Sequence, residues 1–124
     1  MKIIFATHEE VDQLTHKYTM LELDTVRFPD GQPRTAWCVI GMDDVTLQDM
    51  PVIEQFRELH NRMMINYKKR NWKYCEDALE HLQGRWKGEL DTFYQDLAKR
   101  VLGYVQQDPG ESWDPVIDRA LRDL

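Results

Sequence analysis

From Val52 to Tyr104 the apolar residues return every three or four positions in three successive stripes, a spacing that commits most of the second half of the chain to amphipathic helices. The first stripe is Val52, Phe56, Leu59, Met63 and Tyr67. The second is Trp72, Cys75, Leu79, Leu82 and Trp86, and the third is Leu90, Phe93, Leu97, Val101 and Tyr104. Asn71 separates the first two, while Gly84 and Gly88 bracket the next break. Pro51 suits the first turn of a helix, because its missing N–H falls where a helix leaves an amide unpaired. Asp108-Pro109-Gly110-Glu111 stops the third helix. Breaks this short turn successive helices back on one another. Beyond them, Ser112 as a cap and Pro115 as an early helical residue predict a last short helix carrying Ile117, Leu121 and Leu124.

The first third of the chain carries different signals. Thr7-His8-Glu9-Glu10 has the capping-box pattern, in which the Thr hydroxyl takes one free amide and the Glu carboxylate returns to the Thr backbone. It predicts a short helix through about Lys17. Pro29-Asp30-Gly31-Gln32-Pro33 then reads as a turn between two arms, Tyr18 to Phe28 and Arg34 to Ile40. In the second arm Thr35, Trp37 and Val39 alternate with Ala36, Cys38 and Ile40, so it is apolar on both faces and suits a buried strand. Val11, Leu14, Tyr18 and Leu21 also recur at helical spacing, but the turn that follows favours a strand from about Met20. Gly41 to Met50 is a polar, acidic connection. The expected fold is α+β, a single domain over residues 1–124. A small N-terminal β-hairpin with a short helix (residues 1–45), and Lys2 to Ala6 as a candidate third strand, packs on an antiparallel bundle of three to four helices (residues 51–124).

Composition narrows the classes of function. With 124 residues, 42% of them hydrophobic, the chain can bury roughly two-thirds of its unfolded surface in one core. Sixteen Lys and Arg against 22 Asp and Glu leave a net charge of −6, which argues against general binding to nucleic-acid phosphate. Two cysteines, Cys38 and Cys75, cannot build a disulfide framework and suit a reducing compartment. The opening residues hold too few apolar side chains for a signal peptide, and no run is long enough to cross a bilayer. A cytoplasmic location is expected, with no membrane partner.

Tyr67-Lys-Lys-Arg-Asn-Trp72-Lys-Tyr-Cys75, followed by Leu79 and Leu82, resembles the helical hairpin of tetratricopeptide-like repeats, in which an aromatic residue precedes a small one by three positions. The resemblance implies close approach of two helices at Cys75. Tyr104 through Trp113-Asp114 to Val116 is similar to the tail that closes the helical extension of some class III adenylate cyclases, although Pro115 stands where that tail usually has Gly. It covers Phe56 to Val116 and implies helix packing without cyclase chemistry. The whole chain resembles small proteins of T4-like phages of marine cyanobacteria, through Thr15-His16-Lys17-Tyr18-Thr19-Met20-Leu21-Glu22-Leu23-Asp24-Thr25 and Gly88-Glu89-Leu90-Asp91-Thr92-Phe93-Tyr94. That resemblance implies a host bacterial cytoplasm and leaves the activity open.

Reactive groups are sparse. Ser112, the only serine, is explained as a helix cap, and Cys38 and Cys75 sit on apolar stripes that make them packing residues. His8, His16, His60 and His81 are scattered with no H-E-x-x-H and no Cys pair, so no metal and no cofactor is expected. Asp77 and His81, flanked by Glu76 and Glu80, form an acidic helix face that still lacks a third ligand. Glu89 and Asp91 fit the first turn of a helix. Glu22 and Asp24 should share one face of the first arm, and with His16 and Trp37 they make the best candidate ligand pocket. Arg62, Lys68, Lys69, Arg70 and Lys73, interleaved with Tyr67, Trp72 and Tyr74, form the one basic cluster. Within it Tyr67, Lys68, Arg70 and Tyr74 are a candidate interaction surface, and stacking on single-stranded nucleic acid is the weaker use of the same cluster. The leading expectation is therefore a non-enzymatic accessory protein that binds a protein partner or a second copy of itself. The alternative is a regulator or enzyme that holds a small molecule or nucleotide between hairpin and helices.

Overall fold

The computed structural model describes residues 2–118 and shows an α+β chain in two compact units. One takes in the N-terminal segment up to Met42 together with the chain from Asp114, and the other is Asp43–Trp113.

In the first unit, β1 (Lys2–Phe5) is followed by α1 (His8–Leu14), β2 (Thr19–Arg27) and β3 (Pro33–Ile40), and β4 (Ile117–Asp118) returns from the far end of the chain. The sheet order is β1-β3-β2-β4, with β3 antiparallel to both β1 and β2. Thr7 caps α1 as its sequence predicts: the Glu10 amide donates to Thr7 Oγ at 3.2 Å, and the Thr7 amide donates to Glu10 Oε1 at 3.1 Å. The helix stops at Leu14, short of Lys17. The amides of Lys17 and Tyr18 both turn back to the Leu14 carbonyl, which releases the chain into β2. Val11 of α1 covers Met20 and Trp37 on one face of the sheet, with Ile4, Ala6, Leu14 and Val39 completing the cluster. The β2–β3 turn is closed by Phe28 with Gln32, and Gly31 supplies the left-handed residue it needs (φ 87°).

The expected last helix is corrected. Ile117 lies in β4, paired in parallel with Val26 of β2, while Leu121 and Leu124 fall outside the described residues. Asp114 redirects the chain: its Oδ1 accepts the Val116 amide at 3.0 Å, and its Oδ2 accepts from Arg27 of β2 at 3.2 Å. A free strand edge on β2 thereby overrides the local helix signals of Ser112 and Pro115.

The second unit holds α2 (Ile53–Lys68), α3 (Trp72–Leu82) and α4 (Asp91–Gln106), joined by tight turns. His60 of α2 meets Tyr94 of α4, and Tyr67 meets Tyr104, so α2 and α4 run the same way. Trp72 of α3 meets Tyr67 of α2 and Cys75 meets the Met63 carbonyl, so α3 runs antiparallel to them. Arg70, at φ 63°, makes the left-handed turn after α2, and the Asn71 amide closes it on the Asn66 carbonyl. The α3 stripe of Trp72, Cys75, Leu79 and Leu82 is buried as expected, and α2 and α4 depart from their expected stripes only in part. On α2 the buried residues are His60, Met63, Met64 and Tyr67, with Phe56 and Leu59 half-buried. On α4 they are Tyr94, Leu97 and Val101, so Tyr94 and not Phe93 points inward. Trp86 sits in a 3₁₀ turn, Trp86–Gly88, after α3 has ended.

Candidate functional site

Among the described residues, β1 has a neighbour on one side only, and the direction of its backbone groups follows from a single bond. The Ala6 amide donates to the Thr35 carbonyl of β3. Because successive residues of a strand present these groups to opposite sides, those of Ile4 and Lys2 also face β3. The N–H and C=O groups of Ile3 and Phe5 therefore face outward. Their side chains, on the sheet face opposite α1, are 58% and 42% exposed.

The edge carries its own aromatic support. Phe5 packs edge-on against Phe28 with ring centres 4.9 Å apart, and the Arg34 guanidinium lies 4.2 Å from the centre of the Phe28 ring. Asp30 fixes Arg34 through a 2.7 Å ion pair. The Gln32 amide, and next the Arg34 guanidinium, hold the Asp30 carboxyl below its ordinary pKa.

Where β1 ends and α1 begins, the sheet corner opens into a notch of about 430 Å³, lined by Phe5, Ala6, Thr7, His8, Glu10 and Pro33–Thr35. Its polar groups already have structural work. Glu10 completes the cap of α1, Thr35 Oγ lies 2.8 Å from Thr25 Oγ, and the His8 ring packs edge-on to Trp37 at 5.4 Å. The notch can accept a side chain beside the open edge, but it holds no serine or cysteine nucleophile.

The residues expected to form a ligand pocket are dispersed. His16 is exposed in the turn after α1. Trp37 is 5% exposed beneath α1, its Nε1 donating to the Ala6 carbonyl at 3.2 Å. Glu22 lies opposite Trp37 and is buried. The shared face of Glu22 and Asp24 is corrected, because β2 bulges between Glu22 and Thr25. Glu22 pairs with Trp37 and Thr25 with Thr35, two residues apart, so Glu22 shares its face with Thr25 and Asp24 falls in the bulge. None of His16, Glu22, Asp24 and Trp37 lines the notch.

The expected interaction surface is corrected at Tyr67, which is 2% exposed. It belongs to a tetrad with Trp72, Tyr104 and Trp113, whose ring centres lie 4.8 to 6.5 Å apart in every pairing. Tyr74 is half-buried, and Lys68 is exposed. Arg70 is ion-paired to Asp108 at 3.2 Å, and Asp108 also accepts from Trp72 Nε1 and the Gly110 amide. The Gly110 amide, first among these donors, holds the Asp108 carboxyl below its ordinary pKa. Lys73 pairs with Asp77 and Arg62 with Glu58, so much of the basic cluster is neutralised on its own helices. His81 is exposed on the same acidic face as Asp77. Asp91 tethers a loop, its Oδ1 accepting the Gly84 amide at 2.8 Å.

Sequence reasoning missed a polar cluster inside the helical unit. His60 and Tyr94 have no exposure, Trp86 has 5%, His60 Nδ1 lies 2.9 Å from Tyr94 Oη, and Trp86 Nε1 donates to that oxygen at 3.0 Å. Its signal was His60 standing three residues before Met63 and seven before Tyr67, on the core side of α2. Among the described residues no group of three or more His, Cys, Asp or Glu could hold a metal ion, and no helix is long and apolar enough to cross a membrane. The chain matches no family model, no curated protein and no solved structure.

Proposed function

We propose that this is a non-enzymatic interaction protein, a phage-encoded accessory factor acting in the host cytoplasm, whose docking element is the open edge of β1. The supporting observation is the outward row of Ile3 and Phe5 backbone groups, flanked by their exposed side chains and ending at the notch. An edge of this kind binds another extended segment by adding it as a strand: main-chain hydrogen bonds supply affinity, and pockets for alternate side chains supply selectivity. Edges that stay free are usually blunted by charge, proline or a bulge, and Lys2 is the only such device on β1. Cys38 and Cys75 are buried, and the carboxylates of Glu10, Asp91 and Asp108 are held by backbone amides.

A displayed library of extended peptides, selected against the wild-type protein and against Ile3→Pro, tests this reading. Proline at position 3 removes an outward donor and leaves the β1–β3 bonds of Lys2 and Ile4 in place. Peptides with alternating apolar residues should bind the wild type and lose at least about tenfold in affinity on Ile3→Pro. Equal binding to both proteins, or recovery of no such peptide, refutes the reading.

A further inference from the structure

Taking β1 as the docking edge, we infer that the segment it accepts is β1 of a second copy, in an antiparallel pair whose two-fold axis passes through Ile4. The register follows from the outward groups. Each copy offers the N–H and C=O of Ile3 and Phe5, and only with Ile4 opposite Ile4 do both residues of each copy find partners, Ile3 bonding to Phe5 of the other chain and Phe5 to Ile3. A two-fold axis perpendicular to the sheet keeps each face with its like. Ile3 of one copy then covers Phe5 of the other, and these are the two exposed apolar side chains of the strand.

Charge agrees with the same register. Lys2 lies on the face that α1 covers, and pairing through Ile4 sets it opposite Ala6 of the second copy, next to the acidic first turn of that copy's α1, with Glu9 and Glu10. The contact is made twice. The interface is small, so the dimer is weak, with a dissociation constant on the order of 100 µM.

Sedimentation velocity of the full chain over a concentration series, with circular dichroism as the folding control, tests this. The wild type should associate reversibly, and Ile3→Pro should be monomeric. Ile3→Lys, which leaves the backbone untouched, serves as a second edge block if the proline variant does not fold. Lys2→Glu alone should weaken association about tenfold, and mixing it with Glu9→Lys should restore it as a heterodimer. Ile4→Cys should give an intermolecular disulfide on mild oxidation, since residues facing each other across a non-hydrogen-bonded antiparallel pair stand close enough for one. A wild type that stays monomeric overturns the second copy as occupant, while the peptide selection still decides whether β1 is a docking edge. A dimer that survives both Ile3→Pro and Ile3→Lys overturns the proposed interface, as does an Ile4→Cys protein that dimerises without cross-linking.

Discussion

Replacing Tyr94 by Phe removes one oxygen atom from the interior of the helical unit and should cost far more than that atom's size suggests. The phenol oxygen is the acceptor for Trp86 Nε1–H and lies 2.9 Å from His60 Nδ1. All three side chains are buried, so neither neighbour can turn to solvent for a substitute. A buried polar group that loses a hydrogen bond costs about 1–3 kcal/mol, so losing this contact at both Trp86 and His60 should destabilise the unit by about 2–6 kcal/mol. The ring itself stays, so no cavity of consequence adds to the loss. Trp86 also holds left-handed backbone (φ 56°), a conformation costing about 1–3 kcal/mol in a bulky residue, and its indole bond helps to offset that strain. Urea unfolding followed by tryptophan fluorescence should show a lower midpoint with an unchanged slope. A loss below about 0.5 kcal/mol would refute the reasoning, because it would mean that the three polar atoms do not depend on one another. Combining His60→Leu, Tyr94→Phe and Trp86→Phe supplies the control. Removing every partner together should cost less than the sum of the single changes.

Two further outcomes follow from the same unit. Asp108 has its pKa lowered in the folded state, so its contribution is complete above the unfolded value near pH 4 and is lost as pH falls through the lower folded value. Stability measured from about pH 5 downward should decline, Asp108→Asn should flatten part of that slope, and an unchanged slope in the variant would count against the tether between Asp108, Gly110, Arg70 and Trp72. Burial pushes the Cys75 thiol up to about 12, and Cys38 has no exposure, so neither should react with a thiol reagent at pH 8 until the protein unfolds. Rapid stoichiometric labelling of the native protein would contradict both burials.

The candidate site was only partly legible. Lys2 to Ala6 could be read as a strand, and a small sheet could be expected to leave a free edge, but which strand takes that edge depends on the order β1-β3-β2-β4. The pairing of Glu22 with Asp24 failed because strand alternation assumes a regular ladder. A single bulge is a cross-strand event and leaves no mark in the local pattern. The basic neighbours of Tyr67 point to the surface, whereas its place on the α2 stripe is the better guide to its burial.

The capping box at Thr7, the turn around Gly31 and the helices on either side of Asn71 and Gly84 were determined by the sequence alone, because each depends on φ preferences, free amides and apolar spacing within a few residues. Tertiary structure decided the fate of Ile117 and the inward turn of Tyr94. The first rests on backbone groups left open on β2, far away in the chain. The second rests on the rotation at which α4 meets His60 and Trp86. Contacts between distant segments supply free energies as large as local propensities, and the chain adopts whichever set satisfies more of its buried polar groups.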